Sequence, residues 1–470
     1  MALQPYLRKL QEMQGYLKGK AINKKSEHDA NVFLKLYKQL LTEPTTIKWS
    51  QMRPLSSEYE IDYDGLPEVA GREAMILNRL CVLKLNGGLG TTMGCSGPKS
   101  LLVVRDGLTF LDIAIKQNES LNQKYGSDVP LLLMNSFNTE SDICQYLSTI
   151  CKSVRCFTQS KCPRIDAVTH KPVFTLNNSN ENESWYPPGH GNVFESMEFS
   201  GILDELIAEN REICFISNID NTGATVDLKI AQFMIESGTE YAMECTQKTL
   251  ADTKGGTLIE INGGIMHLEM PQVPQANVEE FCSLRTFKMF NTNNIWVNLR
   301  NVKARLPEMK MEIIVNRKKL GNGNQVLQLE TSVGGAIRNF QKVVSVKVPR
   351  ARFLPVKKTQ DLLALMSDIY EMDEFCNVRL KVGRPIAEQP VIKLSEEFSS
   401  IADFRKRFAS IPRIADLVRL RVDGDVVFGS SVVLKGDVII VADEGKLLEI
   451  PNGSFIENKM VKGCLRFKEN

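Results

Sequence analysis

A chain of 470 residues is longer than a single hydrophobic core usually serves, so we expect two or three structural units. Hydrophobic residues make up 43% of the sequence and charged residues 24%, with a formal net charge of +2, which is typical of a globular protein. The basic residues are dispersed, which argues against a nucleic-acid-binding or membrane-binding surface. The eleven cysteines include no C-x-x-C pair, and no apolar run is long enough to span a bilayer, so we expect a cytoplasmic protein with reduced thiols.

The N-terminal segment, residues 1–60, shows helical periodicity. Apolar residues recur at steps of three and four from Leu7 to Leu17 and again from Val32 to Leu40. Such stripes are far more often helix faces that pack on a core than parts of a site. We therefore predict helices here and place no functional residue in them.

From Leu80 onward, apolar strands alternate with helical segments. The strands are predicted at 81–85, 130–134, 213–217 and 240–245, and the helices near 109–124, 139–150 and 225–237. This alternation predicts an α/β fold with a mostly parallel sheet and helices on both faces. Ligands bind such sheets at the carboxyl ends of the strands, so we expect the site there.

A glycine-dense loop, LNGGLGTTMGCSGPKS at residues 85–100, follows the first of these strands. Such a loop can bring several backbone N–H groups close to a phosphate, and Lys99 can place a positive charge beside the same anion. Pro98 precedes the lysine, which excludes a Walker A loop, and three residues rather than two separate Gly90 from Gly94, which excludes the dinucleotide fingerprint. A tight turn without a ligand is the alternative. The strand, the loop and the lysine together favour a nucleotide-phosphate site.

This loop resembles the nucleotide loop of eukaryotic UTP–glucose-1-phosphate uridylyltransferases, also called UDP-glucose pyrophosphorylases. Further blocks resemble that family in the same order: PLLLMNSFNT (Pro130–Thr139), WYPPGHG (Trp185–Gly191), SNIDNTGA (Ser217–Ala224), KGGTL (Lys254–Leu258), FNTNNIW (Phe290–Trp296) and RFLPVK (Arg352–Lys357). The resemblance extends over roughly residues 30–466. It implies a Rossmann-like nucleotidyltransferase (GT-A-like) catalytic domain over 61–390, with a central mixed sheet and helices on both faces, and a C-terminal left-handed β-helix domain over 391–470.

The C-terminal part of the sequence also carries a six-residue apolar step of its own. The residues at this spacing are Val426, Val432 and Val438, and later Ile450 and Ile456. This pattern predicts short coils of a β-helix, which we expect to begin near Leu417. A stack of ordinary hairpins is the alternative.

The resemblance implies the reversible reaction of UTP with glucose 1-phosphate to give UDP-glucose and pyrophosphate. A phosphate oxygen of the sugar phosphate attacks the α-phosphorus of UTP in line, and pyrophosphate leaves. Neither substrate needs to lose a proton at neutral pH, so no catalytic histidine, serine or cysteine is required. The reaction needs cancellation of negative charge, which lysines and a Mg²⁺ ion supply.

The family motifs assign three residues to this charge cancellation. Lys99 of the G-P-K motif and Lys357 of the FLPVK motif are implied as catalytic residues that contact phosphates, and Asp220 is implied as the Mg²⁺ ligand. From the residues alone, a lysine after an apolar run is most often an exposed surface charge, and Asp220 followed by Asn221 is equally typical of a turn. The motifs favour the functional roles.

The resemblance also implies the residues that bind the nucleotide and the sugar. The nucleotide-binding residues are Leu85, Gly87, Gly88, Lys99, Met134, Gln159, Gly189 and His190, and the sugar-binding residues are Asn218, Gly256, Glu269, Asn293 and Asn294. The amide of Gln159 can donate to and accept from the uracil imide, a pattern that cytosine does not match. Carboxylates and amides suit sugar hydroxyls because they make several hydrogen bonds in a fixed geometry.

Two other functions fit parts of this pattern. One is a related transferase that acts on another sugar 1-phosphate, such as N-acetylglucosamine 1-phosphate, and the other is a catalytically silent nucleotide-binding scaffold. The presence of Lys99, Asp220 and Lys357 together argues against the scaffold.

The C-terminal tail predicts assembly of the chain with copies of itself. Its end, from Gly463 to Phe467, resembles the tails of animal and fungal relatives, and Leu465 and Phe467 alternate with Arg466 as in an edge strand. We expect a homo-oligomer, such as an octamer, joined by residues after about 440. A tail that folds back and caps its own domain is the alternative.

Overall fold

The computed structural model describes residues 3–150, 152, 154–175, 182–249, 252–386 and 388–464. Within these residues the α-helices are α1 (Leu3–Lys18), α2 (Lys24–Thr42), α3 (Glu73–Leu77), α4 (Phe110–Tyr125), α5 (Glu140–Thr149), α6 (Val193–Ser200), α7 (Ile202–Ala208), α8 (Leu228–Ser237), α9 (Val278–Phe281), α10 (Leu299–Arg305), α11 (Thr359–Met366) and α12 (Ile401–Arg407).

The strands of the same residues are β1 (Met52–Pro54), β2 (Glu60–Asp62), β3 (Leu80–Asn86), β4 (Val103–Arg105), β5 (Leu108–Thr109), β6 (Leu131–Asn135), β7 (Arg155–Thr158), β8 (Cys162–Pro163), β9 (Ile165–Asp166), β10 (Trp185–Tyr186), β11 (Ile213–Asn218), β12 (Tyr241–Gln247), β13 (Thr257–Ile261), β14 (Gly264–Leu268), β15 (Met289–Asn298), β16 (Ile314–Lys319), β17 (Gln325–Glu330), β18 (Val343–Lys347), β19 (Tyr370–Met372), β20 (Val378–Leu380), β21 (Val391–Leu394), β22 (Leu417–Asp423), β23 (Val426–Phe428), β24 (Val433–Ala442), β25 (Leu448–Ile450) and β26 (Phe455–Gly463).

The chain folds into two compact units and passes between them several times. The first unit comprises Met1–Gly87, Lys124–Asn218 and Val226–Arg350, and the second comprises Gly88–Gln123, Ile219–Thr225 and Ala351–Asn470. More than one unit was expected from the chain length. The division into segments 1–60, 61–390 and 391–470 stays a prediction.

The first unit is built on a large mixed sheet with the strand order β2-β18-β12-β15-β11-β3-β6-β7. Only β15 runs antiparallel to its neighbours β11 and β12, and the other adjacent pairs are parallel. All seven residues of β3 are buried, because an apolar strand in the middle of a sheet is covered on both faces. The strands and helices predicted between residues 81 and 245 are confirmed, with ends that differ by at most three residues.

The N-terminal helices are confirmed as far as Thr42 and the helical prediction is wrong beyond it. Helix α2 ends because Glu43, which precedes Pro44, adopts an extended backbone with φ −119° and ψ 148°. The following segment forms short strands, and β2 joins the edge of the large sheet beside β18. The buried face of α2, which includes Phe33 and Tyr37, belongs to a hydrophobic cluster with strands β8 and β17.

The C-terminal part of the second unit consists of parallel strands. One sheet has the order β21-β22-β24-β26 with every adjacent pair parallel, and β23 pairs parallel with β25. The apolar residues that recur at the predicted six-residue step are buried: Val426, Val432, Val438, Ile450 and Ile456. Parallel pairing excludes the alternative of a hairpin stack, because hairpin strands pair antiparallel.

The predicted start of the coils near Leu417 coincides with the first residue of β22, and the parallel sheet also contains an earlier strand. The parallel sheet begins with β21 (Val391–Leu394), which pairs with β22. Its alternating exposed and half-buried residues do not continue the six-residue step, so the sequence pattern could not include it. At the other end, Leu465 and Phe467 lie outside the described residues. No helix in the described ranges is long and apolar enough to cross a membrane.

Candidate active site

Gln159 lies directly against the backbone of Gly87, at the point where β3 ends. A Cβ atom on Gly87 would lie 2.2 Å from Gln159 Nε2, so only glycine leaves room for this amide. The backbone of Gln159 is held by its N–H, which donates to Asn135 O at 2.9 Å, and by Lys25 Nζ, which donates to Gln159 O at 3.3 Å. Gln159 is only 5% exposed, yet its Oε1 accepts no hydrogen bond from the described residues. A buried amide oxygen without a protein partner requires a donor from water, an ion or a ligand.

Leu85 and Met134 sit side by side on adjacent parallel strands, as the register of β3 and β6 requires. Both side chains are buried in the core cluster of the first unit. The structure therefore places these two predicted nucleotide residues near the ends of β3 and β6, one strand position before Asn86 and Asn135, with their side chains in the core.

His190 presents a neutral N–H donor. Its Nδ1 accepts from the Val333 N–H at 3.0 Å, so the ring proton is on Nε2. Burial lowers the pKa of His190 to about 4, so the ring is uncharged at neutral pH. Gly189 precedes it with φ +85°, and a Cβ there would lie 2.5 Å from Thr331 O. The tight approach of this glycine to Thr331 sets the position of the histidine.

Asn218 and Asn293, two of the predicted sugar residues, are joined by a hydrogen bond. Asn293 Nδ2 donates to Asn218 Oδ1 at 2.9 Å, and Asn293 has a left-handed backbone with φ +62°. The Oδ1 atom of Asn293 is buried and accepts nothing within the part of the chain that the structure describes. Asn294 points elsewhere: its side chain is fully buried and donates to Glu244 Oε2 at 3.0 Å.

The other two sugar residues, Gly256 and Glu269, also lie together. A Cβ on Gly256 would lie 3.0 Å from the carboxylate carbon of Glu269. Gly256 O accepts from the Asn291 N–H at 2.9 Å, which ties it to the FNTNNIW strand. The predicted sugar residues therefore form two neighbouring pairs in the first unit, Asn218 with Asn293 and Gly256 with Glu269, while the side chain of Asn294 is turned toward Glu244.

A charged cluster lies in the second unit, made of Lys99, Asp220, Lys357 and Asp361. Lys99 Nζ donates to Asp220 Oδ2, and both side chains are largely buried. The Lys99 N–H donates to Gly88 O at 3.0 Å, which folds the glycine loop back on itself. The cluster thus brings together Gly88, Lys99 and Asp220, three residues of the motifs.

Lys357 is held beside this ion pair by two sets of backbone contacts. Asn221, next to Asp220, donates to Arg352 O at 3.1 Å and accepts from the Leu354 N–H at 2.8 Å. The N–H groups of Lys357 and Lys358 both donate to Asp361 Oδ2 at 2.8 Å. Burial raises the pKa of Asp361, and the positive charges of Lys357 and Lys99 oppose that rise.

A family model of UTP–glucose-1-phosphate uridylyltransferase matches residues 30–435, a range that contains every residue of these clusters. The chain belongs to this family. The enzyme of that name from Musa acuminata is 48% identical over 452 residues, covering 94% of this chain and 96% of the relative. The enzyme of that name from Saccharomyces cerevisiae is 46% identical over 462 residues, covering 96% and 92%.

Solved uridylyltransferase structures have the same fold as this chain. A mutant UDP-glucose pyrophosphorylase from Leishmania major, solved in complex with UDP-glucose, superposes with a TM-score of 0.87 at 30% identity. The match covers 96% of this chain and 99% of the other. The resemblance of the motifs to the uridylyltransferase family is therefore confirmed over nearly the whole length.

The residues present fit a magnesium ion with few protein ligands. No cluster of three or more histidine, cysteine, aspartate or glutamate side chains that could hold a metal occurs among the described residues. Mg²⁺ usually takes one or two carboxylates and completes its octahedron with water and substrate phosphate oxygens. The carboxylate of Asp220, whose charge Lys99 balances, suits this single-carboxylate arrangement.

The uridylyltransferase motifs did not identify the residues that hold the predicted site residues in place. Glu244 accepts hydrogen bonds from the side chains of Asn294 and Trp296. Asp361 accepts from two backbone N–H groups, and the side chains of Asn291 and His267 contact each other. Asp361 had a local signal, since an aspartate in the first turn commonly caps a helix. His267 had one too, because it lies two residues from Glu269 and residues at that spacing share a strand face.

Proposed function

We propose that this chain transfers the uridylyl group of UTP to glucose 1-phosphate and also catalyses the reverse reaction. A bond forms between a phosphate oxygen of glucose 1-phosphate and the α-phosphorus of UTP, and the bond from that phosphorus to the β-phosphate oxygen breaks. UDP-glucose and pyrophosphate are the products. The observation that carries the proposal is the family match, which runs through residues 30–435 and so through both clusters.

For the nucleotide, Gln159 is the proposed reader of uracil. Its unpartnered Oε1 suits the N3–H of uracil, and its amide N–H suits a uracil carbonyl. The backbone of Leu85, Gly87, Met134 and Gly189 would line the same group. His190 would donate through Nε2 without adding charge.

For the sugar, the acceptors and donors of Asn218, Asn293 and Glu269 are the proposed partners of the glucose hydroxyls. The buried Oδ1 of Asn293 supports this role, because a sugar hydroxyl would supply the missing donor. Gly256 leaves space beside Glu269. The side chain of Asn294 is bonded to Glu244, so Asn294 would act on the sugar site indirectly.

For the phosphates, Lys99, Lys357 and the glycine loop at Gly88 are the proposed partners. Lysine charges stabilise negative charge that builds up on the transferring phosphate and on pyrophosphate. Asp220 would hold Mg²⁺, which supplies Lewis-acid stabilisation of phosphate oxygens when bound. Asp361 would keep the backbone of Lys357 in place.

At the level of the fold, we propose that the large sheet is Rossmann-like and GT-A-like with helices on both faces, and that the C-terminal parallel coils form a left-handed β-helix. The parallel pairing of β21, β22, β24 and β26 supports a β-helix. We also propose a cytoplasmic location, which the reduced cysteines support: every described cysteine is a free thiol.

A homo-oligomer joined through the C-terminal strands is the proposed assembly. Strand β26 ends its sheet, and its side chains Phe455 and Met460 are 61% and 66% exposed. The unpaired backbone groups of this edge among the described residues, together with these two exposed apolar side chains, would be covered by a second copy. Light scattering tests this: Met460→Glu should lower the assembly mass, while Val418→Glu, at an exposed position on the inner strand β22, should not. A parent at monomer mass across micromolar concentrations contradicts the assembly.

Pyrophosphate release with a panel of substrates tests the proposed activity. We expect the rate with UTP and glucose 1-phosphate to exceed by far the rates with N-acetylglucosamine 1-phosphate or with CTP. A site built to pair polar groups rejects mismatched partners through unpaired buried groups, by factors of about 10⁴ in favourable cases. Equal kcat/KM for CTP would remove Gln159 as the uracil reader, and no release with any pair would favour the silent scaffold.

A further inference from the structure

His267 is a fully buried histidine that fills the space between two glycines. It lies on β14, opposite Leu258 of β13, and its side chain is 0% exposed. A Cβ on Gly256 would lie 2.6 Å from His267 Nε2, and a Cβ on Gly334 would lie 2.6 Å from His267 Nδ1. The imidazole therefore occupies a slot that any side chain at either glycine would close.

The hydrogen bonds of Asn291 determine which ring nitrogen of His267 carries the proton. Asn291 Oδ1 accepts from the Asn293 N–H at 2.7 Å, so the other end of that amide, Nδ2, faces His267 Nε2 at 3.2 Å. An amide nitrogen can only donate, so Nε2 accepts and the proton is on Nδ1. Burial lowers the pKa of His267 to about 4, which keeps the ring neutral at physiological pH.

The Nδ1–H group of His267 points toward the carboxylate of Glu269. It has no hydrogen-bond partner among the described residues, and Glu269 Oε1 lies 3.8 Å from it. The gap exceeds a hydrogen bond by roughly 1 Å. Closing this gap requires the Glu269 carboxylate to move toward the ring, and catalytic hydrogen bonds commonly tighten when substrate binds.

We propose that His267 is a positioning residue for the sugar, linking the Asn291–Asn293 segment of β15 to the carboxylate of Glu269. Its Nδ1–H orients that carboxylate while Asn291 and Asn293 are held on the opposite side of the ring. Asn293 and Glu269 are then fixed relative to each other, so that both meet the sugar hydroxyls in one geometry. The inference rests on the proposed function for the roles of Glu269 and Asn293, and it adds a residue outside the family motifs.

Replacement of His267 by leucine and by glutamine tests the proposal. Leucine keeps bulk without polar atoms, whereas glutamine retains an acceptor for Asn291 and a donor for Glu269. We expect His267→Leu to raise KM for glucose 1-phosphate by about 10- to 100-fold, the range for removing a group that orients a ligand side chain. KM for UTP should stay within about twofold, and His267→Gln should recover most of the loss.

Two outcomes overturn the positioning role. One is an unchanged KM for glucose 1-phosphate in an active His267→Leu enzyme. The other is a parallel rise of both KM values that glutamine does not reverse, which would indicate general packing damage. A parent chain that forms no UDP-glucose would instead refute the proposed function and is recognised before any variant is compared.

A measurement on the parent chain avoids dependence on the folding of variants. In ¹⁵N-histidine NMR spectra, His267 should show the Nδ1–H tautomer, and its Nδ1 proton should shift downfield when UDP-glucose is added. An Nε2–H tautomer, or an Nδ1 signal that does not respond to UDP-glucose, contradicts the link to Glu269.

Discussion

Gln159 and Asn293 each bury a side-chain oxygen that accepts no hydrogen bond from the residues described. Leaving such an atom unpaired costs about 1–3 kcal/mol, so a folded protein keeps it only for a reason. The two atoms lie in the groups proposed for uracil and for glucose. A ligand with N–H and O–H donors at these places would offset the cost, which gives the proposed specificity a physical basis.

At the same scale, Lys357 is expected to act in the chemical step. Lys357→Ala should lower kcat by about 10²–10³-fold, the loss typical of one transition-state charge contact, with little change in UTP affinity. Lys358→Ala is the matched control, because it removes the neighbouring ammonium and leaves both backbone bonds to Asp361 intact. A kcat for Lys357→Ala within a few-fold of the parent contradicts the role.

Asp220 is expected to govern the metal dependence. Asp220→Asn keeps the shape and removes the charge, so the Mg²⁺ concentration that gives half the maximal rate should rise about tenfold or more. Asp437→Asn, which neutralises an exposed aspartate of the same unit, should leave it unchanged. If both variants keep the parent's Mg²⁺ titration, Asp220 does not hold the metal.

At the scale of elements, the C-terminal coils depend on close contact between successive turns. A Cβ on Gly436, which has φ +66°, would lie 2.0 Å from Asn458 Oδ1 of the next coil. That oxygen accepts from the Asp437 N–H at 2.9 Å, so it cannot move without losing a hydrogen bond. The glycine therefore sets the spacing of the coils.

Gly436→Ala and Gly445→Ala separate crowding from backbone strain. Gly445 has φ +68° and open space around it, so alanine there adds only the strain of a left-handed residue. Alanine at 436 adds the clash with Asn458 and should destabilise by about 1–3 kcal/mol more. Thermal melting of the two variants measures the difference, and equal melting temperatures would show that the coils separate freely at this point.

The sequence predicted those elements whose signal is local. The strands near Val82, Leu132 and Phe215 are apolar runs, and their periodicity is enough to place them. The antiparallel insertion of β15 between β12 and β11, and the pairing of β2 with β18, depend on partners far away in the chain. Periodicity carries no information about such partners, so they could not be predicted.

The same distinction between local and long-range signals applies to the candidate site. The FNTNNIW block predicts Asn293 as a sugar-binding residue because its wording is characteristic of the family, and that role stays a prediction. Asp361 contacts the backbone of Lys357, four residues earlier, and its place in a first helical turn is a local signal. The contact of His267 with Asn291 is different, because it is seen only when the fold brings His267 of β14 to Asn291 of β15.

At the scale of the whole molecule, buried histidines make stability depend on pH. Burial lowers the pKa of His267 and His190 to about 4 from an ordinary value of 6.5. Between these values the unfolded chain binds more protons than the folded one, so the free energy of unfolding falls as pH falls from 6.5. For His267 alone the loss by pH 5 is about 2 kcal/mol.

Comparing the pH dependence of the free energy of unfolding in the parent and in His267→Gln isolates the contribution of His267. In denaturant unfolding, the free energy of unfolding should fall between pH 7 and pH 5 by about 2 kcal/mol less in the variant than in the parent. Above pH 7 the two curves should run parallel, since the histidine is neutral in both states. If the free energy of unfolding falls equally in parent and variant between pH 7 and pH 5, His267 keeps an ordinary pKa in the folded protein.

Phosphorus NMR of the parent chain with UTP, glucose 1-phosphate and Mg²⁺ follows the transfer of the uridylyl group itself. We expect UDP-glucose and pyrophosphate in equal amounts, the reverse reaction when the products are supplied, and loss of both directions in a Lys99→Ala, Lys357→Ala double variant. Unchanged substrates, or pyrophosphate released together with UMP instead of UDP-glucose, would contradict transfer of the uridylyl group to the sugar phosphate.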